Sequence, residues 1–97
     1  MPTFQLTLHR TYYSQGFFNV TVDFDQHVGD EGPVRLVLDN GEEIEGYINR
    51  HANRNETARV MGGTELRDWF QANFRVMDKV DVDLSQFDVI RLKRSHK

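Results

Sequence analysis

A chain of 97 residues, 38% hydrophobic and 11% aromatic, can build one domain around one modest core. The absence of cysteine excludes a disulfide framework, a thiolate metal site and a cysteine nucleophile. A net charge of -3 argues against indiscriminate phosphate binding, so any nucleic-acid contact has to come from local clusters of cations.

Charge is unevenly spread. Acidic residues crowd positions 23–45 (Asp23, Asp25, Asp30, Glu31, Asp39, Glu42, Glu43, Glu45) and recur at Asp78, Asp81, Asp83 and Asp88. Basic residues gather at Arg50, His51, Arg54 and Arg59, and again at Arg91, Lys93, Arg94 and Lys97. No apolar run approaches membrane-span length, and the opening Met1-Pro2-Thr3-Phe4-Gln5-Leu6 has neither the basic start nor the apolar run of a signal peptide. The expectation is a soluble, cytoplasmic single domain over residues 1–97, with a short basic tail from about Lys93 and no membrane partner.

Phe4, Leu6 and Leu8 alternate with Thr3, Gln5 and Thr7, the pattern of a half-buried strand. His9 to Gly16 is polar and ends in glycine, which reads as a loop. Phe18, Val20, Val22 and Phe24 alternate with Asn19, Thr21 and Asp23 and predict a second strand. Gly29, Gly32 and Pro33 punctuate a turn region from His27 to Pro33. Val34–Leu38 and Glu43–Ile48 flank Asp39-Asn40-Gly41, and Asn-Gly between two strand patterns is the firmest hairpin signal in the chain.

Residues 49–56 contain nothing suited to a core and read as a long loop or an exposed hairpin end. Thr57–Met61 reads as a short strand. Leu66, Trp69, Phe70, Asn73 and Phe74 then fall at i, i+3, i+4, i+7 and i+8, so four of the five make one apolar helical stripe, with Thr64 as the predicted N-cap. Val80, Val82 and Leu84, a turn over Ser85–Asp88, and Val89–Leu92 complete the strand pattern. About seven strands and one firm helix predict a mainly β fold with one or two short helices. It would be a small seven-stranded open barrel with one helix capping an end. Strand order is not readable at this level.

Enzyme chemistry has little to draw on. Ser14, Ser85 and Ser95 lie outside any nucleophile motif, and His9, His27, His51 and His96 show no metal-ligand spacing. Asp23 with Asp25, and Asp81 with Asp83, share strand faces, but alternating acids on a strand usually form its solvated side. Gly62-Gly63 before the helix is only a weak anion signal. No catalytic residue, metal or cofactor is expected.

Two polar stretches carry the functional reading. Asn49-Arg50-His51-Ala52-Asn53-Arg54-Asn55 is dense in side chains that match base edges, arginine to guanine and asparagine to adenine. Arg10, Tyr12, Tyr13 and Gln15 add donors for base edges and phosphates. Ordinary solvent loops have a similar composition, so the residues alone leave both readings open.

The second half of the chain resembles a known family. A hairpin through Val34–Leu38, Asp39-Asn40-Gly41 and Tyr47 precedes the arginine-bearing arm. Gly63-Thr64-Glu65-Leu66-Arg67-Asp68-Trp69-Phe70 then leads through Asn73 into Val76-Met77-Asp78-Lys79-Val80. This is similar to the DNA-binding pseudobarrel family of plant "B-three" transcription-factor domains and the DNA-reading domains of EcoRII-like restriction endonucleases. Met77 stands where that family often has glycine.

The resemblance implies a non-enzymatic module gripping double-stranded DNA in the major groove through two arms, in a restriction-linked or transcription-regulating setting. The arms would be His9–Gln15 and Asn49–Arg59. Arg10, Arg50 and Arg54 would meet guanine edges or phosphates, and Asn49, Asn53 and Asn55 adenine edges or the backbone. Tyr12, Tyr13, Gln15, His51 and Arg59 would be positioning contacts. The alternative on the same barrel is a protein-interaction or adaptor module that uses the acidic strand faces.

Overall fold

In a computed structural model, which describes residues 3–84, 86 and 88–94, one curled sheet takes in seven strands. They are β1 (Thr3–Thr7), β2 (Phe17–Asn19), β3 (Gly32–Val37), β4 (Glu43–Asn49), β5 (Arg59–Met61), β6 (Lys79–Asp83) and β7 (Val89–Arg94). The order across the sheet is β1-β6-β7-β3-β4-β5-β2. All neighbours are antiparallel except β3 and β7, which run parallel over Arg35–Val37 and Val89–Arg91. The architecture is a mainly β pseudobarrel, as the strand patterns predict. Ser85 and Phe87 of the predicted turn lie outside the described residues, as do Ser95, His96 and Lys97 of the predicted tail. Lys93 and Arg94, expected in that tail, belong to β7.

Helix α2 (Gly63–Asn73) closes the barrel with the predicted stripe: Leu66, Trp69, Phe70 and Phe74 are all buried. Trp69 meets Phe74 edge-on at 5.1 Å, and Phe70 lies 5.8 Å from Trp69. Burial of this aromatic cluster supplies a large share of the hydrophobic stabilisation available to so small a core. The helix begins one residue before the predicted cap. Gly62 takes the N-cap position, and no side-chain cap bond is made there among the described residues.

Two segments differ from the sequence expectation. Residues 10–15 are not a loop but a short helix, α1 (Arg10–Gln15), closed by Gly16 at φ 79°. Tyr12 and Tyr13 share its inner face and pack on the core, while the Tyr13 hydroxyl donates to the Phe74 carbonyl at 3.2 Å. Gly16 is where α1 meets α2. Its carbonyl accepts the Gly62 N–H at 2.9 Å, and a Cβ there would run into the Gly63 carbonyl oxygen and stand 2.8 Å from the Arg67 amide nitrogen. Only glycine combines that left-handed backbone with that approach. The same contact spends the Gly62 N–H within the chain.

The second predicted strand stops at Asn19. Its partner β5 begins at Arg59, opposite Asn19, so the ladder ends there apart from one further bond from the Val20 N–H to the Ala58 carbonyl. Residues Val22–His27 instead form a 3-10 helix, with Val22 exposed and Phe24 stacked on Phe4 of β1 at 5.3 Å. This segment spans the two open edges of the sheet. The turn after α2 also carries a strained residue: Met77 adopts φ 75° while its N–H donates to the Leu8 carbonyl at 2.6 Å. A side chain at the position where the resembling family often has glycine is therefore held in the left-handed region by a bond to the barrel.

Candidate nucleic-acid interface

Strands β4, β5 and β2 lie side by side, and their register sorts outward-facing residues into two rows. Met61 pairs with Tyr47 on one side and Phe17 on the other in one row, and Arg59 pairs with Asn49 and Asn19 in the next. The intervening row, Ile48, Val60 and Phe18, points inward and is buried. Period-two alternation thus builds an outer face with an apolar row beside a polar one. Helix α1 flanks it on one side, and the loop 50–58 flanks it on the other.

A continuous run of contacts joins these flanks. His9 meets Tyr12 edge-on at 5.7 Å, and Tyr12 meets Phe17 at 5.5 Å. The Arg59 guanidinium lies 4.4 Å from the Phe17 ring centroid, and Arg59 Nε donates to Asn19 Oδ1 at 3.1 Å. Asn19 Oδ1 also accepts from Asn53 Nδ2 at 3.1 Å, and Asn53 Nδ2 reaches the Thr57 carbonyl at 3.2 Å. Both sequence-selected arms therefore touch the edge strand β2. The Nη groups of Arg59 have no partner among the described residues, although ring and amide fix the plane of the guanidinium. A braced arginine with open terminal donors is suited to a carboxylate, a phosphate or a base edge.

The remaining selected residues divide by what they already hold. The side chains of Arg10, Gln15 and Arg54 are exposed and make no polar contact with any described residue. His51 is exposed, its Nε2 3.4 Å from Glu31 Oε1. Asn55 Oδ1 fixes the turn through Thr57 Oγ1 at 2.8 Å, and Asn49 Oδ1 accepts the His51 N–H at 2.8 Å. Tyr13 is committed to α2 through its hydroxyl, and its carbonyl accepts from Gln71 Nε2 at 3.1 Å.

Arg50 is the exception to the arm expectation. Its Nε donates to the Gly29 carbonyl, its Nη2 to the Val28 and Gly29 carbonyls, and its Nη1 to Asp25 and the Glu56 carbonyl, all between 2.9 and 3.2 Å. Every nitrogen of the guanidinium is thus spent inside the chain, and none is presented to a ligand. The polar stretch expected as a loop over 49–56 begins one residue later, since Asn49 ends β4, and Arg50 enters a polar cluster beneath the loop.

Asn19, Phe17, Tyr47 and Met61 join the site through the sheet and not through any sequence motif for binding. The alternation of Tyr47 with buried Ile44 and Ile48 marks it as outward, but only strand order shows that it neighbours Met61 and Phe17. Among the described residues no group of three His, Asp or Glu side chains is placed to hold a metal ion, and no helix is long and apolar enough to cross a membrane.

Neither a protein-family profile nor a curated protein sequence matches this chain. The fold nevertheless has structural relatives. A hypothetical protein of Arabidopsis thaliana superposes with a TM-score of 0.68 at 11% identity, over 94% of this chain and 86% of that one. The N-terminal domain of Helicobacter pylori LlaJI.R1 superposes with a TM-score of 0.67 at 7% identity, over 96% of this chain and 79% of that one. At such identities the likeness is one of fold.

Proposed function

We propose that this pseudobarrel is a non-enzymatic module that binds double-stranded DNA, laying the outer face of β4, β5 and β2 and its two flanking arms into the major groove. The observation that carries this reading is Arg59, braced by Phe17 and Asn19 between the arms with its Nη donors open. Arg10 and Gln15 on α1, with His51, Arg54 and Asn55 on the 50–58 loop, supply exposed donors on either side. Asn49 and Tyr12 orient these groups from beneath, while Asn53 and Tyr13 serve the interface through their bonds within the chain. The similarity of the sequence to the DNA-binding pseudobarrel family, and of the fold to the two solved structures, supports the same assignment.

The test is a salt-dependent titration against a pool of random duplex oligonucleotides, followed by selection and sequencing of the retained DNA. Binding should weaken steeply with salt in proportion to the phosphates neutralised, and a short motif should emerge. Arg59→Ala should weaken binding to that motif by about tenfold or more, as expected for a base-edge or desolvated phosphate contact. An absence of retention at about 50 mM salt, where electrostatic contacts are strong, would refute the assignment.

A further inference from the structure

A single carboxylate holds both stems of the 50–58 loop. Asp25, on the 3-10 helix, accepts Arg50 Nη1 with both oxygens at 3.0 and 2.9 Å, and its Oδ1 also accepts the Ala58 N–H at 2.7 Å. Arg50 begins the loop and Ala58 ends it. The same guanidinium reaches the Glu56 carbonyl inside the loop and the Val28 and Gly29 carbonyls outside it. The Arg50 amide is held in turn by Glu31 Oε1 at 2.9 Å. Both partners of the ion pair are largely shielded, with side-chain exposures of 22% and 25%. Charge-assisted bonds in such surroundings are stronger and more directional than those of a surface pair.

From this geometry we infer that Asp25 and Arg50 form a clamp that sets the conformation of the second arm. They are positioning residues for ligand binding, not contacts. The inference rests on the proposed function for its ligand, while the clamp itself stands on the loop geometry. Without it, the segment from 51 to 57 keeps its own Asn53, Asn55 and Thr57 bonds, the exposed His51–Glu31 contact and one side-chain bond to the barrel, from Asn53 Nδ2 to Asn19 Oδ1, far less than the clamp supplies at the two stems. If the arm holds its native form one tenth of the time, apparent affinity falls about tenfold.

Two kinds of role for Arg50 predict opposite results for Asp25→Asn. Removing an acid near a polyanion and freeing an arginine should tighten DNA binding if Arg50 were a contact. A clamp predicts the reverse: Asp25→Asn and Arg50→Lys each weaken retention of the selected duplex by about tenfold, and the double variant loses little more than either single one. In parallel, hydrogen exchange on the protein without DNA should show the Ala58 and Arg50 amides losing protection in both variants, with the α2 and β6 amides still protected. Tighter or unchanged binding by Asp25→Asn, or independent losses in the two variants, would overturn the clamp. Unchanged exchange at Ala58 would overturn it whether or not DNA is bound. Wild-type protein that retains no duplex at all would refute the DNA reading, and the exchange result would then decide the clamp alone.

Discussion

The two halves of the sheet present outer faces of different character. On β6 and β7 the outer face sets charges of opposite sign across the ladder, with Asp81 opposite Lys93 and Asp83 opposite Arg91. Opposite charges facing each other on neighbouring strands stabilise by a few tenths of a kcal/mol and leave little net field. On β4, β5 and β2 the outward rows are Tyr47–Met61–Phe17 and Asn49–Arg59–Asn19. There the one cation is braced by an aromatic ring and an amide oxygen, not neutralised by an acid. Both faces arise from the same strand alternation, so pattern alone does not separate a self-satisfied surface from one that awaits a partner. The acids of β6, which invited an adaptor reading, face bases of their own sheet.

The comparison can be broken from below. Trp69→Ala removes the aromatic support common to both faces and should cost about 3–5 kcal/mol, measured by urea unfolding. A loss under about 1 kcal/mol would show that α2 is not the floor of the barrel. Gly16→Ala should act on the β2 side first, because it strains the junction of α1, β2 and α2. The left-handed backbone and the clash with the neighbouring helix together should cost about 2–4 kcal/mol, with amides of β2 losing exchange protection before those of β6. Equal loss at both would mean the two halves open as one.

Deleting one charge from each face sharpens the contrast. Arg59→Ala should lower duplex affinity about tenfold, whereas Lys93→Ala should lower it no more than about twofold, the effect expected of a screened, compensated charge. Equal effects would reduce the interface to net charge. The smallest effect concerns neither face. Met77→Gly relieves the left-handed strain and should raise stability by up to about 1 kcal/mol without altering binding. A destabilised variant would show that the Met77 side chain contributes more than its backbone costs.

The parts of the fold legible in the sequence were those with one dominant period. The α2 stripe had four large apolar residues at helical spacing, and the Asn40-Gly41 turn sat between clean alternations; both are present in the structure, and Gly41 adopts φ 89°. Helix α1 was obscured because its inner face is only Tyr12 and Tyr13, although Gly16 at the following C-cap position was a usable stop signal. The 3-10 helix is hidden in the sequence because Val20, Val22 and Phe24 keep a strand period past the point where β5 ceases to offer a partner.

The candidate site was half legible for a related reason. Arg10, Gln15, Arg54 and Asn55 are exposed as loop chemistry suggests. The inward turn of Arg50 depends on Asp25, an acid more than twenty positions earlier in a segment expected to be strand. The outward rows depend on strand order, which adjacency in the sequence does not encode.

Strand β7 has a consequence in time. It pairs with β6 on one side and with β3 on the other, and among the described residues no other ladder joins the β1–β6 pair to the β3–β4–β5–β2 group. During synthesis both groups precede the strand that unites them, so each carries an unsatisfied edge until β7 arrives. The β3–β4 and β4–β5 pairings join neighbours in the chain, whereas the β2–β5, β1–β6 and β3–β7 pairings wait on contacts distant in the chain, which form slowly. Loss or delay of β7 would leave two partial sheets with open, apolar-backed edges, the species most exposed to mispairing with another chain.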